Sequence, residues 1–197
     1  IIFNLIKYMT TVVGGLALFF VVGYWLVVKF IAKRNPVEFM RRTRVVFLTG
    51  FSTSSSTATL PTTMRVAKEE LGISNAVAGF VLPLGAVIHM PGSSLFGVVT
   101  ILFIAQVFGV DLSLGSQLIV LLMSLVSSIG AAAVPGAVIP LLMMVLTMVG
   151  VPLEGIAIML GVDRILDMCR TPLNVIGDLV IATIVDRIES ESSSRIG

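Results

Sequence analysis

Long apolar runs alternate with short polar breaks along the chain, and several of the runs have the length of a membrane helix. Residues 8–28 carry no charge and are apolar on every side of a helix, so we predict that they span a bilayer. The segments 75–108 and 156–186 are also long enough, whereas 117–129 and 141–149 are too short to span as single helices. Each break contains glycine, proline or hydroxyl side chains, which weaken or end helices. The pattern therefore predicts spanning helices combined with pairs of shorter helical segments.

Composition and charge place the protein in the membrane and orient it. Hydrophobic residues make up 56% of the chain and charged residues 12%, against about 25% charged residues in soluble domains. Eight of the thirteen Lys and Arg residues lie between Lys29 and Lys68, and none lies between Lys68 and Arg164. Because cytoplasmic loops are enriched in Lys and Arg, this region is expected on the cytoplasmic side. The one-sided distribution also argues against a nucleic-acid partner, despite a pI near 9.0. The single Cys169 excludes a disulfide within the chain.

The predicted elements form a repeat with opposite orientations. A broken hairpin over 36–72 precedes one long helix, and a second broken hairpin over 112–150 precedes another. Interrupted apolar segments at matching positions of inverted halves indicate the binding site of a transporter. The alternative, two ordinary spanning helices with kinks, is disfavoured because each half-segment is too short. We predict an all-α membrane protein divided into a spanning helix (1–35), a first re-entrant hairpin (36–74), a broken spanning helix (75–110), a second re-entrant hairpin (111–151), a spanning helix (152–188) and a polar tail (189–197).

A hydroxyl-rich stretch, "FSTSSSTATLP" at 51–61, lies between two helical segments of the first hairpin. Irregular backbone at membrane depth persists only where protein buries it or where it lines a watery cavity. A helix that begins after such a run directs free N–H groups and its positive dipole end at a ligand. The stretch therefore predicts a site for an anionic group, whereas a flexible serine linker would lack apolar helices on both sides.

The last apolar segment contains charged residues, namely Asp163, Asp167, Arg170 and Asp178. Charges inside a membrane are costly and usually mark functional sites. Asp167, Arg170, Asn174 and Asp178 follow helical spacings of three and four, so they share one face. The planar guanidinium of Arg170 suits a carboxylate ligand. This face can recognise a zwitterion with an additional carboxylate; a purely structural Asp167–Arg170 ion pair is the alternative.

Three stretches resemble the dicarboxylate/amino acid:cation symporter family, which contains the glutamate transporters: "STSSSTATLPTTM", "SSIGAAAVPGAVIP" and "LDMCRTPLNVIGD". The resemblance extends from Leu5 to Arg187. It implies that the chain is the C-terminal half of a longer protein, comprising the family's sixth, seventh and eighth membrane helices and both hairpins. It also implies an elevator mechanism in a homotrimer, held together by scaffold helices absent from this chain, with the second hairpin as the outer gate. Gly130, Pro135 and Gly136 would allow that hairpin to hinge.

The resemblance also assigns roles to residues. Arg170 would pair with the side-chain carboxylate of an acidic substrate, and Asp167 would bind its amino group. Ser55 and Ser56 would hold its main-chain carboxylate. The complete set of implied substrate contacts is Ser55, Ser56, Met90, Ser93, Val134, Gly136, Asp167, Arg170, Thr171 and Asn174.

One stretch departs from the family. Where family members carry an Asn-Met-Asp-Gly-Thr motif that unwinds the seventh helix and binds sodium, this chain has His89, Met90, Pro91, Gly92 and Ser93. Sodium requires hard oxygen ligands, so one site is expected to be lost. A second, formed by Gly85, Asn174 and Asp178, would be degenerate. Our hypothesis is that protonated His89 replaces sodium beside Asp178; a packed histidine without a coupling role is the alternative.

We therefore expect a secondary active transporter of an acidic amino acid, such as glutamate or aspartate, in the plasma membrane or a bacterial inner membrane. The expected partners are a small-molecule substrate and membrane lipid. No cofactor is expected, and sodium, a proton or no coupling ion are all left open. A proton-coupled or uncoupled dicarboxylate or amino-acid carrier is the nearest alternative. A channel or a non-transporting sensor is the alternative of another class. The chain contains no enzyme motif.

Overall fold

The computed structural model describes residues 2–130 and 136–196, and within them every regular element is a helix. The α-helices are α1 (Ile2–Leu18), α2 (Pro36–Thr53), α3 (Ser56–Glu69), α4 (Asn75–Ile88), α5 (Pro91–Val107), α6 (Leu114–Gly130), α7 (Val138–Met148) and α8 (Gly155–Ile196). Two π-helical stretches, Phe19–Tyr24 and Val27–Ile31, continue α1. The prediction of an all-α protein is confirmed. The predicted substrate contact Val134 and hinge residue Pro135 lie outside the described residues.

Three helical runs are long and apolar enough to cross a membrane, and they match the predicted spans: Phe3–Ile31, Asn75–Val107 and Gly155–Ser192. The helices α6 and α7 are apolar but shorter, as the sequence predicts. The helix α8 packs against α1, α2, α3, α4 and α5. The most polar of the three long apolar helices therefore occupies the centre of the fold, where protein buries four of its charged side chains: Asp163, Asp167, Arg170 and Asp178.

The link between α2 and α3 is shorter than the serine run predicts. Only Ser54 and Ser55 are outside a helix; Ser54 adopts a left-handed conformation (φ 51°), and the Ser55 hydroxyl accepts the N–H of Ala58 as the N-cap of α3. Two of the other hydroxyls are accommodated because they donate to carbonyls one turn back, Ser52 to Leu48 and Thr59 to Ser55. The expectation of a long irregular run is wrong. Pro61, which was expected before the helix, lies inside α3.

The break between α4 and α5 is also confined to two residues, His89 and Met90. Pro91 is the first residue of α5, where its missing N–H removes no helical hydrogen bond. Gly92 allows the start of α5 to approach α8, because a Cβ there would lie 2.7 Å from the carbonyl oxygen of Arg170. The break predicted within the spanning helix 75–110 is therefore present, at His89 and Met90.

Contacts at one end of the molecule tie the termini of several helices together. Arg187 donates to the carbonyl of Ile31 at 2.6 Å, and the Ser74 N–H donates to Asp186 at 2.8 Å. In α2, the Arg42 guanidinium donates to Glu38 and holds the pKa of that carboxyl below its ordinary value. This end coincides with the basic region predicted to face the cytoplasm.

The tail predicted as a separate polar segment instead continues α8 to Ile196, since charged residues still support a helix there, as in the Arg187–Glu191 pair.

Candidate functional site

One face of α8 presents polar side chains to the interior of the protein. All of them are at most 8% exposed: Asp163, Asp167, Arg170, Thr171, Asn174 and Asp178. The face is turned toward α4 and α5, whose break lies opposite it. The predicted common face is confirmed, and burial at membrane depth gives each charge a strong need for a partner.

Arg170 lies between two carboxylates. Its Nε donates to Asp167 Oδ1 at 2.9 Å, and its Nη1 lies 3.5 Å from Asp163 Oδ1 as an ion pair without hydrogen-bond geometry. The guanidinium carbon lies 4.4 Å from the centroid of the Phe96 ring. Within residues 2–130 and 136–196, three buried atoms of this cluster have no hydrogen-bond partner, namely Asp163 Oδ1, Asp167 Oδ2 and Arg170 Nη1. The Asp167–Arg170 pair is therefore present, yet it leaves donors and acceptors for a ligand.

Asn174 joins α8 to the start of α5. Its Oδ1 accepts the Gly92 N–H at 2.8 Å, and its Nδ2 lies 3.5 Å from Ser93 Oγ. Thr171 donates to the Asp167 carbonyl one turn back at 3.0 Å. The structure thus brings Ser93, Asn174 and the Arg170 cluster close together. The carbonyl of Met90, at the break itself, accepts the Ser94 N–H at 3.0 Å.

His89 and Asp178 form a contact across the same break. His89 Nδ1 lies 2.9 Å from Asp178 Oδ1, with Asp178 only 2% exposed. Gly85 lies against this carboxylate, since a Cβ there would be 2.7 Å from Asp178 Oδ1. The carbonyl of Gly85 is engaged by the His89 N–H at 2.8 Å. His89 thus contacts two members of the predicted degenerate sodium site, through one carboxylate oxygen of Asp178 and the carbonyl of Gly85.

The tip of the first helical pair is buried, with Ser54, Ser55 and Ser56 between 2% and 9% exposed. A hydrogen bond of 3.0 Å between the hydroxyls of Thr53 and Thr59 closes it. Nearby, a Cβ at Gly50 would lie 3.1 Å from Val175, so α2 meets α8 beside Asn174. At the tip of the second pair, Gly136 has a positive φ of 77°.

The structure adds two residues that were not among the predicted contacts. Asp163 lies one turn before Asp167, and this spacing alone was a signal for a second carboxylate on the same face. Phe96 lies under the guanidinium of Arg170, and an aromatic residue in an apolar helix carries no such signal in the sequence.

The chain is similar to known transporters over nearly its whole length. The family model described as "Sodium:dicarboxylate symporter family" matches residues 1–188. An excitatory amino acid transporter of Caenorhabditis elegans is 42% identical over 181 residues, which cover 92% of this chain and 36% of that protein. Excitatory amino acid transporter 2 of Homo sapiens is 40% identical over 189 residues, covering 96% of this chain and 33% of that protein.

A third relative, excitatory amino acid transporter 3 of Mus musculus, is 38% identical over 189 residues, covering 96% of this chain and 36% of that protein. The chain therefore spans about a third of the length of these relatives. All the names are those of transporters, in agreement with the prediction that the chain is not part of an enzyme. They also agree with the predicted membrane location.

Proposed function

The chain belongs to the sodium:dicarboxylate symporter family, and on this basis we propose that it forms the substrate-binding part of a secondary active transporter for an acidic amino acid. One observation carries the proposal. Arg170 is buried on a central membrane helix, flanked by two carboxylates, and retains an unused donor among the described residues. A buried cluster with one cation and two anions suits a ligand that brings both charges.

The substrate would be recognised by its separate charges. Arg170 Nη1 would bind the side-chain carboxylate, and Asp167 Oδ2 would accept from the ammonium group. Both atoms are buried without a hydrogen-bond partner in the described part of the chain. The main-chain carboxylate would lie at Ser55 and Ser56, next to the positive end of α3. Thr171, Asn174, Ser93, Met90, Val134 and Gly136 would complete the pocket. The names of the relatives support an acidic amino acid as the substrate.

The helical pairs α2–α3 and α6–α7 would be re-entrant hairpins that enter from opposite sides. The short length of α6 and α7, with 17 and 11 residues, supports this arrangement. The described helices would move as a transport domain against scaffold helices that are not in this chain, in an elevator within a homotrimer. The domain would consist of the six segments predicted from the sequence. The helix α8 would include most of the last spanning segment (152–188) and continue into the polar tail that follows it.

Coupling to sodium would be weakened at the break. The His89 ring is hydrogen-bonded to Asp178, and Pro91 stands where related proteins carry an acid. Both changes remove oxygen ligands that sodium requires. We therefore expect uptake that does not depend on sodium at this site, with a proton or no coupling ion as the remaining alternatives.

Uptake into proteoliposomes tests the function. The purified protein is reconstituted with unlabelled aspartate inside, and labelled aspartate is added outside. A carrier exchanges the two, so that internal substrate accelerates entry of the label. A channel shows no such acceleration, and a non-transporting sensor shows binding without entry. Either of these results would contradict the proposal.

A further inference from the structure

A small polar cavity lies behind Ser93, between α5, α6 and α7. The side of α5 contributes Ser93 and Gly97, and α7 contributes only apolar side chains. The side of α6 contributes Ser124, Ser127 and Ser128, which follow spacings of three and four and so share one face. Apart from Ser93, none of these serines is among the substrate contacts that the resemblance implies.

Two hydroxyls in this cavity have no partner. Ser128 accepts from Ser94 at 2.7 Å and itself donates to the Leu125 carbonyl, so it is satisfied. In contrast, Ser124 Oγ and Ser127 Oγ are buried without any hydrogen bond to the described residues, and Ser124 is 6% exposed. A buried hydroxyl without a partner is unfavourable by about 1–3 kcal/mol, so such groups are usually satisfied by protein or by ordered water.

The cavity has room for a single water molecule. The volume open to the centre of a water molecule is about 10 Å³, close to the roughly 10–15 Å³ that one bound water needs. The polar wall consists of neutral hydroxyls, with no carboxylate among the residues that line it. A desolvated cation needs more charge than these groups supply.

We propose that this cavity binds one water molecule that bridges Ser124, Ser127 and Ser93. Three hydroxyl partners are the usual number for a buried water. The water accepts a hydrogen bond from the Ser93 hydroxyl. The lone pairs of Ser93 are then turned toward Asn174 Nδ2, which lies 3.5 Å away. It thereby joins the second helical pair to the proposed substrate pocket. The presence of the water does not depend on the identity of the substrate.

A double-mutant cycle tests the bridge, because Ser124 and Ser127 form no hydrogen bond with each other. The variants Ser124→Ala, Ser127→Ala and the double variant are compared by thermal unfolding in lipid nanodiscs. Ser116→Ala, at the start of α6 and outside the cavity, is the control, and it removes only a hydroxyl contact with Ser113. If water bridges the hydroxyls, each single change lowers the unfolding temperature by about 2–4 °C, and the double change costs less than the sum.

An empty cavity would give a different result in the same experiment. If the cavity is empty, removing an unsatisfied hydroxyl by Ser→Ala raises the unfolding temperature or leaves it unchanged, and the two effects add. Either outcome overturns the proposal. An independent measurement is a structure of the intact protein at a resolution that shows waters. Density within hydrogen-bond distance of both hydroxyls supports the bridge, and its absence refutes it. Aspartate binding measured on the same variants tests the substrate site separately.

Discussion

His89 and Asp178 lie 89 residues apart in the chain, yet His89 Nδ1 is 2.9 Å from Asp178 Oδ1. The contact exists because α4 ends at Ile88, so that His89 turns out of the helix toward α8. Gly177 makes the room for it. A Cβ at this position would lie 2.6 Å from the His89 ring and would also overlap the Tyr24 hydroxyl, which donates to the Leu173 carbonyl.

The first prediction concerns this close approach. Gly177→Ala overpacks the contact and is expected to destabilise the protein by about 1–3 kcal/mol. Gly161→Ala on the same helix is the matched control, because nothing lies within 4 Å of a Cβ there. Alanine favours a helix by up to about 1 kcal/mol over glycine, so the control is expected to be neutral or stabilising. Thermal unfolding measures both, and equal effects would contradict the packing described for Gly177.

The second prediction concerns the cation of the proposed substrate pocket. Arg170→Ala leaves Asp163 and Asp167 buried without their cation, and it removes the partner of the substrate carboxylate. Truncating one partner of a buried charge pair between protein and ligand costs about 2–5 kcal/mol of binding free energy, which corresponds to roughly a thirtyfold or larger loss of affinity for aspartate. Isothermal titration of the purified protein measures the affinity. Arg164→Ala, an exposed arginine on the same helix, is the control, and unchanged affinity in Arg170→Ala would exclude the assigned role.

The third prediction separates the two charges of the substrate. Asp167→Asn removes the proposed partner of the amino group while keeping the size of the side chain. It is expected to reduce aspartate uptake strongly and to affect succinate much less, because succinate lacks the amino group. Uptake of labelled aspartate and of labelled succinate, measured separately, gives the difference, and Asp111→Asn at an exposed position is the control. Equal losses for both compounds would show that Asp167 does not bind the amine.

Much of this site could be predicted because its residues recur at the spacing of a helix. Asp167, Arg170, Asn174 and Asp178 repeat at helical spacing in an apolar segment, and that spacing alone places them on one buried face. Likewise, Pro91 and Gly92 predict a break, since proline lacks a donor and glycine tolerates close approach.

Other features depend on contacts that spacing does not reveal. The serine run is mostly helical because Ser52 and Thr59 donate to the preceding turn and Ser55 serves as an N-cap, and a count of hydroxyls cannot distinguish this from a loop. The same holds for Phe96, whose contact with Arg170 depends on the direction of that long side chain. The cavity behind Ser93 depends on how α6 and α7 meet α5, which no local pattern specifies.

The fourth prediction concerns the gate. The tip of the first helical pair is closed by the Thr53–Thr59 hydrogen bond, whereas the second contains Gly136 at a positive φ. We expect the second tip to move when substrate binds. In a Cys169→Ala background, spin labels at Ala137→Cys and Ile165→Cys report the second tip against α8. Labels at Thr57→Cys and Ile165→Cys report the first. A substrate-dependent distance change at the second helical tip alone agrees with the prediction. A change confined to the first tip would show that the first helical pair is the gate instead.

The fifth prediction concerns ion coupling, and it follows from the same histidine. His89 occupies the hydrogen-bonding position in front of Asp178, so initial uptake is expected to be equal in sodium and in choline at matched pH. His89→Ala leaves a buried carboxylate without a partner, which should abolish transport.

The double change His89→Asn with Pro91→Asp supplies two oxygen ligands beside Asp178 and is expected to introduce sodium dependence. Pro91→Asp alone is the control, because it adds a carboxylate while His89 still engages Asp178. Sodium dependence that appears only in the double variant would identify the His89 contact as the element that excludes the ion. A steep dependence in the unmodified protein would instead show that sodium binds despite this contact, through ligands other than those described for Asp178.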